Sequence, residues 1–539
     1  MPDPNKTRIV GSNKSTLLIG LGLILAVIFL IGIIVVSVEY SKWDCGEDGY
    51  GLVFDAGSSH SSMAVYQWPG DTVNGTGVLS EAAFYDECGE LGISSYADNP
   101  TELQPGLKKC LDSATDVVPA ISVEDTPVYL AATAGMRLLH ETDPDKSDTV
   151  FAAVRETLRE SPFSFEDEEK QANILSGERE GYSSWITANY LDQHLGVTPV
   201  LDSIAEALWG TPIPRRPTLG ALDLGGASTQ ITFVPKDPST VPDEYKAKLR
   251  LYGTDYELYT YSFLCYGANE ARRRLEANLI KESNFSSPTE NPCAARNHTY
   301  TVDGEYLWKA PCSTGPQALA GWGSEVTPAP DARDKRDTMD TMEYEIKGTG
   351  DGAKCQEETS KLFDVDAPCP KPPCSFNGIH SPEPYGSYKA LSAYAYTMEG
   401  IGGSVDASKS DLLAARDAYC AKTYEELEAL PDKMKYKITY CFQATYVAAL
   451  LDAYGFEDSN WKLEFNTKIS GVTLGWALGY MLDLTNRIPV EASCIGLSPG
   501  VFGALLVIFI ICLLVGVVMV VLGCREKKTR KADGKGASI

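Results

Sequence analysis

The sequence predicts an α/β protein of two related halves, suspended between a membrane helix at each end. Three observations lead there. An apolar strand that ends in Asp and a Gly/Ser turn occurs twice, at Asp55 and Asp223. The two long uncharged runs lie at the two ends of the chain, and twelve cysteines fall between them, ten of them well away from either run.

The first run covers residues 16–38, rich in Leu, Ile, Val and Gly. As a helix it would be about 35 Å long, enough for a hydrocarbon core of about 30 Å. A cleaved signal peptide is the competing reading, but the run is too long for one and no small-x-small cleavage site follows it. The second run covers residues 500–523. Lys6, Arg8 and Lys14 precede the first run, and Arg525, Lys527, Lys528, Arg530 and Lys531 follow the second. The positive-inside rule then puts residues 1–15 and 524–539 in the cytoplasm and everything between the runs outside.

Composition excludes several function classes. Of 539 residues, 47 are Lys or Arg and 73 are Asp or Glu, a net charge of −26. The two tails hold 9 basic and 3 acidic residues, which leaves 38 basic and 70 acidic between them, net −32. A nucleic-acid binder needs a basic face, and this segment has no polybasic patch to supply one. With 44% hydrophobic and 22% charged residues the chain is globular. The five histidines (His60, His140, His194, His298, His380) form no HxxxH pair, so a His-rich zinc site is not expected. A carboxylate is then the expected general base, and an oxygen-loving cation the expected metal.

The cysteines agree with an oxidising location. Cys512 and Cys524 belong to the second span, and Cys45 and Cys494 sit just outside the two spans. The other ten are Cys88, Cys110, Cys265, Cys293, Cys312, Cys355, Cys369, Cys374, Cys420 and Cys441. An even number in an exoplasmic segment predicts five disulfides, with Cys88–Cys110, Cys369–Cys374 and Cys420–Cys441 the easiest closures. Sequons at Asn74, Asn284 and Asn297 lie in the same segment and fit glycosylation, whereas those at Asn5 and Asn13 fall in the cytoplasmic tail.

The repeat carries the chemistry. Residues 50–60 read YGLVFDAGSSH and continue as SSMAVYQW, while residues 219–228 read LGALDLGGAS and continue as TQITFV. Each is an apolar strand, an Asp at its end, a tight turn and a returning strand. Glycines let a backbone approach a ligand, and successive N–H groups in such a turn form an anion nest. The adjacent Asp repels phosphate but can hold a divalent cation, directly or through water. One copy alone reads as an ordinary hairpin with an Asx turn. Two copies suggest facing hairpins that grip a polyphosphate from both sides.

Three further stretches complete the pattern. Residues 128–139, VYLAATAGMRLL, read as strand, small-residue turn and helix start, with Thr133 placed either to cap the helix or to touch a metal-bound water. Residues 174–191 read as a helix in which Trp185, Ala188, Tyr190 and Leu191 form a packed face. Glu178 and Glu180 at its start can serve the helix dipole, or one of them, beside Gly181, can activate water. Residues 475–486 read as an apolar helix running up to the second span, with Trp476 as a packing residue.

These segments, in this order, closely resemble those of the ecto-nucleoside triphosphate diphosphohydrolases, the membrane-bound apyrases. The resemblance rests on DAGSSH at 55–60, ATAGMRLL at 132–139, ExGxxxWxTxNYL led by Glu178 or Glu180, LDLGGASTQ at 222–230 and GWALGYML at 475–482. It implies two RNase-H-like lobes of the actin and sugar-kinase superfamily with nucleotide in the cleft between them. Lobe one would be residues 46–176 plus 468–494, and lobe two residues 177–467. The resemblance assigns Glu180 as the base that activates water, and Ser228 and Gln230 to position that water. Asp55 and Asp223, with Thr133 nearby, would hold Ca²⁺ or Mg²⁺ through its water shell. Ser58, Ser59 and His60, with the backbone of Gly226 and Ala227, would bind phosphate. The segment at 392–397 resembles the family's base-stacking stretch and points to Tyr396, with Tyr436 as a second pocket position. Stacking on two tyrosines tolerates any base. Family members commonly read Gln-Glu-Glu-Gly where this chain reads Glu178-Arg179-Glu180-Gly181, so Arg179 is a departure.

The implied activity is hydrolysis of nucleoside tri- and diphosphates such as ATP, ADP, UTP and UDP to monophosphates, by direct in-line attack of water. The implied place is the plasma membrane, with both ends embedded, the catalytic part outside and self-association through the spans. A Golgi or lysosomal lumenal nucleoside diphosphatase, a kinase or chaperone-like ATPase, and an inactive receptor or adhesion ectodomain are the competing readings.

Overall fold

The computed structural model describes residues 4–41, 47–70, 72–196, 216–309, 311–314, 342–488, 497 and 499–535. Cys45 and Cys494 therefore lie outside the described residues, as does the end of the segment 468–494.

Two mixed sheets form the body. The first has the order β3-β2-β1-β4-β5, from β1 (Gly49–Ala56), β2 (Ser61–Trp68), β3 (Ser80–Gly89), β4 (Val128–Ala132) and β5 (Ala172–Ile174). Pairs β1–β2 and β2–β3 are antiparallel, and pairs β1–β4 and β4–β5 are parallel. The second sheet uses β6 (Gly220–Leu224), β7 (Ser228–Phe233), β8 (Lys246–Leu251), β9 (Thr254–Leu264), β13 (Tyr388–Ser392) and β14 (Leu463–Phe465), in the order β14-β13-β6-β7-β9-β8. Here β6–β7 and β7–β9 are antiparallel, and β6–β13 and β13–β14 are parallel. With β8 as an added edge, the second sheet repeats the topology of the first. The sequence repeat is thus the visible part of a duplicated RNase-H-like fold.

In sequence between β9 and β13, a separate small sheet is formed by β10 (Thr289–Asn291), β11 (Thr299–Asp303) and β12 (Glu343–Gly348).

Three buried clusters explain the strand patterns. One covers the outer face of the first sheet (Leu52, Phe54, Leu130, Val150, Leu158), and another the outer face of the second (Leu222, Ile231, Tyr394, Val447, Leu451). The third fills the space between the sheets with Val53, Trp185, Ile186, Ala221, Tyr480 and Met481. Strands covered on both faces read as continuous apolar runs, as β1 does from Leu52 to Phe54, whereas the edge strand β3 alternates. The helices Gly177–Leu191 and Ala477–Thr485 pack on each other inside the third cluster. Gly479 meets the Ser183 carbonyl there, and Gly479 N–H donates to Thr187 Oγ1 at 2.9 Å.

All five expected disulfides form, as Cys88–Cys110, Cys265–Cys312, Cys293–Cys355, Cys369–Cys374 and Cys420–Cys441. The three short-range pairings are as expected, and the two long ones belong to the second half. Asn74, Asn284 and Asn297 are all exposed.

The helices Pro4–Tyr40 and Pro499–Lys535 contain apolar spans Lys14–Tyr40 and Gly500–Thr529, long enough to cross a membrane. They pair antiparallel with each other. Tyr40 stacks on Phe502 at 4.2 Å at one end, and a Cβ on Gly523 would lie 3.1 Å from the Ser15 carbonyl at the other. Midway, a Cβ on Gly22 would lie 2.7 Å from the Gly516 carbonyl, a close helix crossing that small residues permit.

Candidate active site

The two Asp-bearing turns have the same construction. Gly57 N–H donates to the His60 carbonyl at 3.0 Å, and Gly225 N–H donates to the Ser228 carbonyl at 2.9 Å. The Gly225 and Gly226 carbonyls accept N–H groups of Ala268, Asn269 and Glu270 at the start of the helix Ala268–Glu282. Among the described residues, the N–H groups of Ser58, Ser59, Gly226 and Ala227 donate to no backbone acceptor. Two sets of free amides are what an anion nest requires.

The turns also face each other. A Cβ on Gly226 would lie 2.5 Å from Ser58 Oγ and 3.0 Å from Ser59 Oγ, so only glycine lets the halves come this close. Asn269 Nδ2 bridges them by donating to Ser59 Oγ at 3.1 Å. His60 is at the outer lip, exposed, with Nε2 3.5 Å from Asp86 Oδ1 on β3.

Behind the turns sit three carboxylates. Asp55, opposite Ser62 and Ala131 in the first sheet, accepts a hydrogen bond from Trp476. Asp223 is 4% exposed and accepts from Ser184 Oγ at 2.6 Å and from Ser392. Ser392 ends β13 at φ 55°, a left-handed conformation that serine rarely adopts. Burial, then the charges of Glu180 and Asp223, push Asp55 up to about 8. Burial likewise raises Asp223.

Glu180 is 5% exposed on the first turn of its helix. A side chain on Gly181 would strike Thr260 Oγ1 and Thr232 Oγ1 at 2.7 and 2.8 Å, so the glycine lets the helix start lie against β7 and β9. That approach brings Glu180 to Gln230. Glu180 Oε2 accepts from Arg137 Nη2 at 2.7 Å and from Gln230 Nε2 at 2.9 Å. Ser228 Oγ accepts from the same two groups, Arg137 Nη2 at 2.9 Å and Gln230 Nε2 at 2.7 Å. Among the described residues Glu180 Oε1 accepts no hydrogen bond. Gln230 Oε1 is buried without a partner. Burial pushes Glu180 up to about 7 against the lowering influence of Arg137.

The donor set suits a hydrated cation. Asp55 interacts electrostatically with both Glu180 and Asp223, while the close guanidinium, Arg137, pairs with Glu180. Thr133, although it precedes the helix Ala134–Thr142, makes no capping hydrogen bond through its side chain. Among the described residues no group of three or more His, Cys, Asp or Glu is arranged to grip a metal directly. Two Asp at separate strand ends match a cation held through its water shell.

Tyr396 and Tyr436 are both about half exposed, and Tyr436 is close enough to act electrostatically on Tyr396. Among the described ring pairs they do not stack on each other. Glu178 is exposed, and Arg179 turns away from the cleft onto Asp483. Arg179 is not among the influences on Glu180.

Sequence reasoning missed Arg137, Ser184, Ser392 and Ser262, whose Oγ accepts from Gln230 Nε2 at 2.9 Å, as site residues, and read Trp476 as packing alone. Trp476 is indeed packed, against Tyr480 at 5.6 Å, and also holds Asp55. One signal was available: Ser228, Thr229, Gln230 and Thr232 put four polar side chains in a strand buried on both faces.

A duplicated RNase-H-like pair with facing amide nests over buried carboxylates defines a phosphate-handling enzyme of the actin-like fold. Residues 42–496 match the model of the GDA1/CD39 (nucleoside phosphatase) family. The chain is 37% identical to ectonucleoside triphosphate diphosphohydrolase 8 of Gallus gallus over 88% of this chain and 91% of that one. It is 37% identical to ectonucleoside triphosphate diphosphohydrolase 2 of Mus musculus, over 90% and 92%. The fold matches the crystal structure of nucleoside triphosphate hydrolases from Neospora caninum, with a TM-score of 0.59, 16% identity and coverage of 84% and 95%. The chain belongs to the GDA1/CD39 nucleoside phosphatase family and is a hydrolase.

Proposed function

We propose that the protein hydrolyses nucleoside tri- and diphosphates to monophosphates at the outer face of the plasma membrane, in the cleft between the two Asp-bearing turns. The observation that carries this reading is the division of the Glu180 carboxylate, with Oε2 held by Arg137 and Gln230 and Oε1 left to accept a proton.

The free amides of Ser58, Ser59, Gly226 and Ala227, with the hydroxyls of Ser58 and Ser59, receive the phosphate oxygens, and His60 adds a side chain at the lip. Glu180 Oε1 takes a proton from a water whose other hydrogen is accepted by Gln230 Oε1. The water oxygen bonds to the terminal phosphorus as the bond to the bridging oxygen breaks, and that oxygen leaves with the shortened nucleotide. Ser228 and Gln230 position the water, and no phosphoenzyme forms. A bound Ca²⁺ or Mg²⁺ would neutralise phosphate charge, and Asp55 and Asp223, with Thr133, are the residues that would hold it through its water shell. A diphosphate product can shift in the same cleft and react again.

Tyr396 and Tyr436 stack the base without reading its edge, which fits ATP, ADP, UTP and UDP as substrates alike. Lobe one is taken as residues 46–176 plus 468–494, and lobe two as 177–467. The paired terminal helices, five disulfides and exposed sequons support an exoplasmic catalytic part glycosylated at Asn74, Asn284 and Asn297. The relatives' names include the prefix ecto, which favours the cell surface over a Golgi or lysosomal lumen.

The test is phosphate release from ATP, ADP and UDP by membranes bearing the full chain, with and without chelator. Chelator-sensitive release from all three is expected; release that ignores chelator, or none at all, would overturn the reading.

A further inference from the structure

Arg179 stands beside the proposed base, Glu180. Its side chain does not enter the cleft. Arg179 Nη2 donates to Asp483 Oδ2 at 3.3 Å, and its guanidinium carbon lies 4.3 Å from the centre of the Tyr480 ring. Both partners belong to the helix Ala477–Thr485 and both are buried. Asp483 also meets Arg487 at 3.5 Å, but Arg487 is largely exposed whereas Arg179 is 22% exposed.

The position of this contact gives it a consequence. A helix's first turn lacks intrahelical partners for its leading N–H groups and is where helices fray. The first turn of Gly177–Leu191 carries Glu180, and its side-chain cap is one bond, from Arg179 N–H to Ser176 Oγ at 3.2 Å. Arg179 adds a tether from this turn to the helix Ala477–Thr485, about 100° around the helix from Glu180. The tether leads onward, because Tyr480 packs edge-on to Trp476 at 5.6 Å, and Trp476 holds Asp55. Arg179, Tyr480 and Trp476 therefore form a continuous run of contacts from the base's helix turn to the first Asp-bearing strand.

We propose that Arg179 is a positioning residue: its ion pair with Asp483 and its stack on Tyr480 fix the helix turn bearing Glu180 relative to the strand bearing Asp55. The inference rests on Glu180 being the base, and it assigns Arg179 no contact with nucleotide. Guanidinium suits this place because its flat face can stack while its edge donates to a carboxylate, a combination that ammonium does not match.

The test uses full-length protein in membranes, with kcat, KM for ATP and thermal midpoint measured for each variant. Arg179→Met keeps reach and removes charge and stacking. It is expected to lower kcat about 10-fold, the scale of a base displaced by a fraction of an ångström, with KM within about twofold. Asp483→Asn should act in the same direction. The double variant should be no worse than Arg179→Met alone, because both changes break one contact. Arg179→Lys can keep the ion pair but loses the stack and should recover only part of kcat, so the proposal remains testable if Arg179→Met fails to reach the membrane. Wild-type kcat in Arg179→Met, multiplying losses in the double variant, or kcat and KM worsening together as the thermal midpoint falls would each overturn it. Failure of the base assignment is seen separately, as turnover by Glu180→Gln.

Discussion

Arg137 Nη2 donates to Glu180 Oε2 at 2.7 Å, with both side chains largely buried. Arg137 lies on the helix after β4 and Glu180 on the helix between β5 and β6. Their contact sets both the direction and the charge state of the carboxylate. Burial favours the protonated acid, Arg137 favours the anion, and the outcome is a group titrating at about 7. In the proposed role of base, a group poised there is ionised when proton transfer calls for it and still basic enough to accept the proton.

Removing the guanidinium should therefore shift the pH dependence upward. A general base works only when ionised, so kcat for ATP should rise with pH through about 7 in the wild type. Arg137→Met removes the lowering influence, and the acid limb should move up by about one pH unit or more, the usual effect of an adjacent arginine on a carboxyl. A kcat profile from pH 5.5 to 9 measures this. An acid limb at the wild-type position would separate Arg137 from the ionisation of Glu180.

Glu178 and Glu180 are distinguished by substitution. Glu180→Gln retains shape and hydrogen bonds but cannot take a proton, so turnover should fall on the order of 10²–10⁴ while nucleotide still binds. Glu178 is exposed, and Glu178→Gln should stay near wild type. Equilibrium binding of a non-hydrolysable nucleotide, set beside turnover, tests both. A dead Glu178→Gln with an active Glu180→Gln would move the base by two residues.

If Asp55 and Asp223 hold the cation as proposed, the carboxyls of the cleft should couple its binding to stability. Asp55 is raised to about 8, Glu180 to about 7, and Asp223 is raised as well. In the unfolded chain such groups titrate at about 4. Between these limits the folded state binds more protons than the unfolded, so stability falls as pH rises. Metal-free protein should lose thermal midpoint steadily from about pH 5 to pH 8, and Ca²⁺ or Mg²⁺ should restore more at pH 8 than at pH 5. A cation effect equal at both values would count against the two Asp as the holding residues.

The sequence was most legible where a local pattern is also a structural unit. Strand, Asp and Gly turn at 50–60 and 219–228 appear in the structure as β1 and β6 with matching turns, because glycine and the two-residue period act locally. Strands β13 and β14 were not read, since they are five and three residues long and their pairing is set by distant partners. Arg137 was passed over for a similar reason. On a helix an arginine reads as surface, and only the approach of Glu180 and Ser228, 43 and 91 residues away, makes it part of the site. Ser392 is more hidden still, its hydroxyl reaching Asp223 through a backbone conformation that sequence does not announce.

The two tyrosines assigned to the base should govern affinity more than turnover. Tyr396 and Tyr436 are about half exposed and are not stacked on each other, so each has a face to offer a nucleobase. Losing one stacking face costs about 1–3 kcal/mol per base, which is roughly 5- to 150-fold in binding. Because stacking is made equally before and during reaction, it changes KM and leaves kcat nearly untouched. Tyr396→Ala and Tyr436→Ala should therefore each raise KM for ATP and UTP by similar factors, since every base has a π-face. The same variants should leave inorganic triphosphate, which has no base, unaffected. Steady-state kinetics with these three substrates decide the matter: a loss confined to ATP would mean that the pocket reads the purine edge, and an equal loss with triphosphate would place the tyrosines at the phosphates instead.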